Sequence, residues 1–479
     1  MRTTPMNTPF TPTSRRNWLL TALGLSAASL SPWLAHADND NDEDFEHEVS
    51  SNVSLALAQT GISGHVVVIG GGMAGAAAAK YLRLWGGAQL NVTLIDTDAS
   101  YTSNIMSNLV LTQQRTMASL DYKRDVLASS YGVSLVQDRV VSLDTVNKQV
   151  LLANGTPLSY DRVVVAPGVE FMAAYGLRVS DYDTKTPHAW RAGAQTTLLA
   201  NQIAGMANGD TFVMTIPLAP YRCPPGPYER ACVVADLLKR TGRSNCRVVV
   251  LDENANIQAE SGTFQNAFDF VHAGVISYQS NARNIQINSD TKVVTYAIGS
   301  GATQTINARV VNPIPAHRAA GIGAGSLDAN DTSGWFATAG LNNSLDRRWA
   351  MVNPLSYEST AALGVHVIGD AAQCGLPKAG HVGNQEGKIC ADAIIRLLGG
   401  GSPDAAPVAN SACYSPITSN TASWLTAVYQ YDTSLGQIKV ASNGGQTSGG
   451  AAVESASISS RNYTQMGVWF NTLMKDTFA

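Results

Sequence analysis

The chain has 479 residues, of which 45% are hydrophobic and 14% charged, with a formal net charge of −4. That balance excludes a disordered chain, and the lack of any basic cluster excludes a nucleic-acid-binding surface. The length predicts two or three domains with ample core. The first segment reads as a processing signal. Arg15 and Arg16 precede a moderately apolar stretch to Leu34, and Ala35-His36-Ala37 has the small-x-small form of a cleavage site. Residues 1–37 are therefore expected to be a twin-arginine signal peptide that sends folded cargo to the periplasm, an oxidising compartment. No run in the remainder is apolar enough to span a membrane. Residues 38–63 open on DNDNDEDFEHE and read as an acidic, solvated linker.

Residues 64–170 carry the first strong pattern. Val66 to Ile69 form an apolar, β-branched run suited to a buried parallel strand. Gly70, Gly72 and Gly75 follow with GxGxxG spacing. These glycines permit a tight turn, a close approach of backbone to pyrophosphate, and packing of helix on strand. The alanine-rich stretch after them is a predicted helix whose amino end can hold the anion. The next predicted strand, NVTLID, ends in Asp96, placed to accept hydrogen bonds from a ribose 2′-hydroxyl. YDRVVVAPG, containing Ala166 and Gly168, resembles the segment that closes many FAD domains. GVHVIGDAA ends a later strand in Gly369 and Asp370; in reductases with two dinucleotide domains, that pattern holds the ribityl and pyrophosphate part of FAD. The order of these motifs predicts an α/β chain with two Rossmann-like dinucleotide-binding domains. The FAD domain, residues 64–170 and 319–401, is interrupted by a second such unit at 171–318. A small C-terminal domain, 402–479, completes the chain.

The second unit lacks what it should carry. No GxGxxG occurs between Gly209 and Asp252, and APYRCPPGPYER stands there instead. Proline has no N–H to offer a pyrophosphate, so NAD is not expected to bind. TFVMTI and CRVVVLD are predicted parallel strands, with KVVTYAI, QTINA and RVVNPIPA as the rest of the sheet and its exit strand. Cys223, held among prolines, points to sulfur redox chemistry. Glu229, six residues on, is read either as a proton carrier or as a surface acid paired with Arg230 or Lys239.

Six cysteines are present, with no CxxC and no CxxCH, so neither a metal site nor a haem attachment site is expected. Cys374 lies four residues after Asp370, on the loop expected to run toward the flavin, and is taken as the partner of Cys223. Cys390 and Cys232 have helical packing patterns, and a structural Cys232–Cys246 bridge stays open. Lys378, in LPKAG, is either a positive charge beside the flavin or a solvated lysine. Trp469 belongs to the aromatic C-terminal piece and by itself reads as a core residue. Residues 444–452 read as a flexible loop.

HAWRAGAQTTLL, YRCPPGPYER, the IGDA…LPKAG loop and NTLMKDTF together resemble the flavoprotein subunit of flavocytochrome c sulfide dehydrogenase, from about Gly64 to Ala479. Sulfide:quinone oxidoreductases are the broader relatives. The resemblance implies oxidation of sulfide by a cysteine disulfide next to FAD, with electrons passing to a c-type cytochrome subunit. It also implies a C-terminal piece beside the flavin, in which Trp469 shields the ring or packs in the core. A quinone reductase and an electron-transfer flavoprotein without sulfide chemistry are the alternatives. Two departures stand out. Asn104 occupies the place of the family's flavin-tethering cysteine, so FAD is expected to be non-covalent. Ala372 occupies the place of the second redox cysteine. Either the thiol has moved to Cys374 within that loop, or Cys223 has lost its partner.

Overall fold

The computed structural model describes residues 57–324, 328, 330–441 and 453–479. The expected signal peptide, most of the linker and the loop 444–452 lie outside the described residues.

Five parallel strands form the first sheet, in the order Val365–Val367, Arg162–Val165, Gly64–Ile69, Leu90–Asp96 and Ser134–Gln137. Val66, Val67 and Val68 are fully buried, as expected for a strand covered on both faces. One cover is the helix Met73–Gly86, whose alanines let the helix Gly380–Leu398 approach closely. At Gly387 a Cβ would stand 2.6 Å from the Ala74 carbonyl oxygen, so only glycine fits that crossing. The Gly369 turn thus rests on the same helix that follows the glycine-rich turn.

The chain leaves this sheet through Val169–Phe171 and returns through His317–Ala319, which pair antiparallel. Between them lies a second parallel sheet, ordered Ile276–Gln279, Arg247–Asp252, Thr211–Ile216 and Val310–Pro313. Two predicted members of that sheet belong elsewhere. Val293–Ile298 and Gln304–Asn307 join Ala282–Ile287 in a separate antiparallel sheet. The cause is connection length, because strands joined by short turns pair antiparallel, whereas a parallel pair needs a long crossover.

The C-terminal region is an antiparallel sheet of Val408–Pro416, Ala422–Asp432 and Gln437–Val440, with Val453–Glu454 on the second strand, followed by the helix Ser460–Phe478. Ser459 caps that helix by accepting from the Asn462 N–H at 3.2 Å. Its far end is latched to the first domain. The buried Lys80 donates to the carbonyls of Asp476 (2.9 Å) and Ala479, and Asp476 accepts from Tyr81 Oη and Lys388 Nζ. Met466, Phe470, Leu473, Met474 and Phe478 are buried against the core. This apolar face is therefore used internally. Among the described residues no helix is long and apolar enough to cross a membrane.

Candidate active site

One cleft runs from the glycine-rich turn to the proline-cysteine segment. Gly70, Gly72, Asp96, Asn104, Ala166, Gly168, Gly369, Asp370, Cys223, Glu229 and Trp469 all line it. Gly75 lies beneath its floor. A Cβ there would stand 1.8 Å from the Gly70 carbonyl oxygen, and one on Gly70 would stand 2.2 Å from that of Ala166. The turn is therefore pressed against the 166–168 segment with no room for side chains. Asp96 fixes it: Oδ2 accepts from Gly71 N (2.6 Å) and from Arg124 Nη2 (3.1 Å). Arg124, which the sequence reading missed, is buried and also donates to the carbonyls of Gly71 (2.8 Å) and Asp98 (2.6 Å).

The other end of the cleft is built around sulfur. Cys223 adopts a left-handed backbone conformation, φ 58°, which is costly for a residue with a side chain. Its N–H donates to the Lys378 carbonyl (2.7 Å), and its own carbonyl accepts from Gly226 N (3.0 Å). The sulfur packs into space left by Gly226, where a Cβ would lie 2.8 Å from Sγ and 2.9 Å from Trp190. Burial pushes the Cys223 thiol up to about 12, and the nearby Glu229 carboxyl adds to the shift. As a free thiol it stays protonated, so it reacts as a disulfide or after losing its proton to a base.

Glu229 is buried, and the surface pairing with Arg230 or Lys239 does not form. Its Oε1 accepts from Asn108 Nδ2 at 2.8 Å. Burial raises its carboxyl to about 8. Arg230 goes to a different set of partners: Asn108 Oδ1 (2.8 Å), Asn312 Oδ1 (2.9 Å) and the carbonyls of His188 (2.8 Å) and Ala189 (2.7 Å). The HAWRAG segment thus wraps the site. Trp190 Nε1 donates to the Arg222 carbonyl (3.0 Å), and Ala192 N donates to Asn104 Oδ1 (2.8 Å). Asn104 serves here as a clamp.

A raised carboxyl sets a direction for pH dependence. Glu229 keeps its proton in the folded chain up to about pH 8, whereas an unfolded glutamate loses it near pH ~4.3. Across that window the folded state binds more protons, so stability falls as pH rises. The Glu229→Gln variant is expected to show a flatter fall in melting temperature between pH 6 and 9 than the parent. Parallel curves would show that Glu229 ionises normally.

Besides Gly75, two predicted residues lie outside the cleft wall. Lys378 is buried, donates to the carbonyls of Asp370 (2.7 Å) and Ala372 (2.8 Å), and sits 3.7 Å over the Trp349 ring. It braces the Asp370 turn. Cys374 does not line the cleft either. After the turn Gly369–Ala371, the strand Ala372–Gln373 pairs with Ala350–Met351, and this directs the next side chain into the core. Cys374 Sγ donates to Glu386 Oε1 at 3.3 Å, and Glu386 also accepts from Gly369 N. All six cysteines are free, so the expected Cys223–Cys374 bridge is absent here, as is a Cys232–Cys246 bridge.

The cleft fits a dinucleotide on two observations besides its glycines. Arg222 Nη2 and Trp469 Nε1 are buried, belong to residues lining the cleft, and have no hydrogen-bond partner. Both are donors, as required by an electron-rich ring or a phosphate. Trp469 stands 5.4 Å from Tyr414 and 6.1 Å from His381, ring to ring, which closes this end of the cleft.

Residues 64–191 match the family model described as pyridine nucleotide-disulphide oxidoreductase. Residues 196–315 match the central part of the flavoprotein chain of sulfide dehydrogenase (flavocytochrome c), and residues 405–478 the flavin-binding part of flavocytochrome c sulphide dehydrogenase. Among solved structures, the chain is similar to the sulfide:quinone oxidoreductase of Aquifex aeolicus. The two share 15% identity at a TM-score of 0.66, over 86% of this chain and 92% of that one. It is also similar to a ferredoxin reductase from Rhodopseudomonas palustris, at 17% identity and a TM-score of 0.52, over 76% of this chain and 82% of that one. At these identities the likeness to solved structures is one of fold.

Proposed function

We propose, for a chain that is a flavocytochrome c sulfide dehydrogenase-like flavoprotein and an FAD-dependent oxidoreductase, that it oxidises hydrosulfide at Cys223 and passes the electrons to a c-type cytochrome in the periplasm. Export through Arg15 and Arg16 belongs to the same reading. The observation that carries it is the place of Cys223. A strained, proline-flanked cysteine lines the same cleft as the flavin fingerprint, where a nicotinamide-binding turn would otherwise stand.

The cofactor is FAD, held without a covalent bond. When bound it supplies a two-electron acceptor. Gly70, Gly72 and the amino end of Met73–Gly86 would hold its pyrophosphate, with Asp96 keeping the turn in shape. Arg222 and Trp469 would direct their unpartnered N–H groups at it. Trp190 and Gly226 set the position of the Cys223 sulfur. Glu229, with a carboxyl near neutrality, holds or accepts a proton at this end of the cleft. Acid precipitation is expected to leave the yellow colour in the supernatant; colour retained in the pellet would mean a covalent link.

The test of the function is anaerobic stopped-flow spectroscopy of the flavin-loaded protein. Sulfide is expected to bleach the flavin rapidly, with no bleaching by NADH or NADPH. Reoxidation should be fast with a c-type cytochrome and slow with a soluble quinone. Bleaching by NADH but not by sulfide would overturn the proposal. The internal use of the apolar face of Ser460–Phe478 favours the cytochrome over a quinone met at a membrane surface.

A further inference from the structure

A second cavity lies behind the Cys223 end of the cleft. The two share Pro225, Ala379 and Cys413 as a common wall. Cys413 is thus a cysteine besides Cys223 that lines the flavin cleft, and it also lines the space behind. It comes from Val408–Pro416, 190 residues away in sequence. Glu260 lines the second cavity as well. It is 2% exposed, adopts φ 51°, and its Oε1 has no partner, although Oε2 accepts from Ser415 Oγ. A buried, strained carboxyl with one oxygen unsatisfied suits a functional role better than a structural one. Cys374, by contrast, lines neither cavity.

We infer that Cys413, rather than Cys374, is the second sulfur of the site, exchanging disulfide bonds with Cys223 inside the flavin cleft that both line. This inference rests on the sulfide reading of Cys223 given above. Burial holds the Cys413 thiol well above its ordinary value, with the Cys223 sulfur next in effect and Glu260 after it. Glu260 lines the second cavity together with Cys413 and, raised by burial to about 7, would take the proton that Cys413 must lose.

The steps balance. The thiols of Cys223 and Cys413 join in one S–S bond and release two electrons and two protons, with the bound flavin as oxidant. Hydrosulfide attacks the Cys223 sulfur, forming Cys223–S–SH and expelling Cys413 as thiolate. No net electrons move in that exchange. A second hydrosulfide takes the outer sulfur as HSS⁻ and returns Cys223 as thiol, while the Cys413 thiolate takes back one of the two protons. The sum is two HS⁻ giving HSS⁻, one proton and two electrons.

The experiment is disulfide mapping of the flavin-loaded protein by mass spectrometry without reduction, after mild oxidation with diamide. A peptide pair joining Cys223 to Cys413 is expected. Cys374 should alkylate only on unfolding. Brief treatment with sulfide and then iodoacetamide should find persulfide on Cys223 and a newly alkylated Cys413. Cys413→Ser should lose the linked pair and slow sulfide-driven bleaching at least ten-fold; Cys374→Ser should keep the pair. A Cys223–Cys374 pair, or no pair at all, overturns the inference. The mapping uses the parent chain, so it decides even if the Cys413 variant does not fold. If the linked pair forms but Cys223→Ser still bleaches with sulfide at the parent rate, it is the sulfide function that fails.

Discussion

Cys223→Ser is expected to bind FAD normally and to lose sulfide-driven flavin reduction by on the order of 10³-fold or more, because serine is neither a leaving group nor a persulfide carrier. Binding should survive because the glycine-rich turn proposed to hold the pyrophosphate belongs to the first sheet, whereas Cys223 sits at the other end of the cleft and its replacement leaves Arg222 and Trp469 in place. Serine can keep the backbone hydrogen bonds from Cys223 N to Lys378 and from Gly226 N to residue 223. The flavin spectrum and the reduction by dithionite should therefore match the parent. A variant that bleaches with sulfide at the parent rate would remove Cys223 from the reaction. A variant that loses its flavin would show that the proline-cysteine segment is needed to hold the cofactor. Gly226→Ala should give a milder version of the same loss. Its methyl would meet Sγ at 2.8 Å and Trp190 at 2.9 Å, so the sulfur must move.

Gly75→Ala is expected to yield little or no flavin-loaded protein. The new methyl would lie 1.8 Å from the Gly70 carbonyl oxygen, a backbone atom that cannot swing aside. Opening the turn would also break its seat on Ala166 and the Asp96–Gly71 hydrogen bond. A cost of about 3 kcal/mol or more is in the range of severe overpacking. Gly168→Ala provides the comparison. Gly168 has φ +71° but nothing within 4 Å of a Cβ, so the cost is the backbone strain alone, about 1–2 kcal/mol. The measurements are flavin absorbance per protein and the melting temperature of each variant. Equal flavin occupancy in Gly75→Ala and Gly168→Ala would show that close packing of the turn does not govern cofactor binding.

The local patterns were sufficient for the first sheet and its cofactor. The run HVVVIGGGMAG, the acid at the end of the next strand, and the APG and GD turns encode short-range geometry: strand period, glycine turn, strand end. These follow from a handful of neighbouring residues, which is why the sequence alone determined the dinucleotide fold and the glycine-rich turn. The sequence also identified Cys223, since a proline-cysteine run in place of a glycine turn is a local anomaly. Its φ of 58° and the space made by Gly226 and Trp190 then came from packing.

What only the tertiary structure decided are the partners of the charged groups and thiols in and around the cleft. Glu229 read equally as a surface acid, because its burial depends on Asn108, 121 residues away. Arg124 carried no motif and Arg222, although inside YRCPPGPYER, carried no assigned role; their surroundings come from carbonyls and carboxylates of other elements. Cys374 follows Asp370 closely in sequence, yet the two-residue pairing of Ala372–Gln373 with Ala350–Met351 turns it toward Glu386. A strand sends successive side chains to opposite faces, so a pairing made with a distant segment determines which way a cysteine points. Cys413 reaches the cleft from the other direction, on a strand whose sequence gives no sign of it.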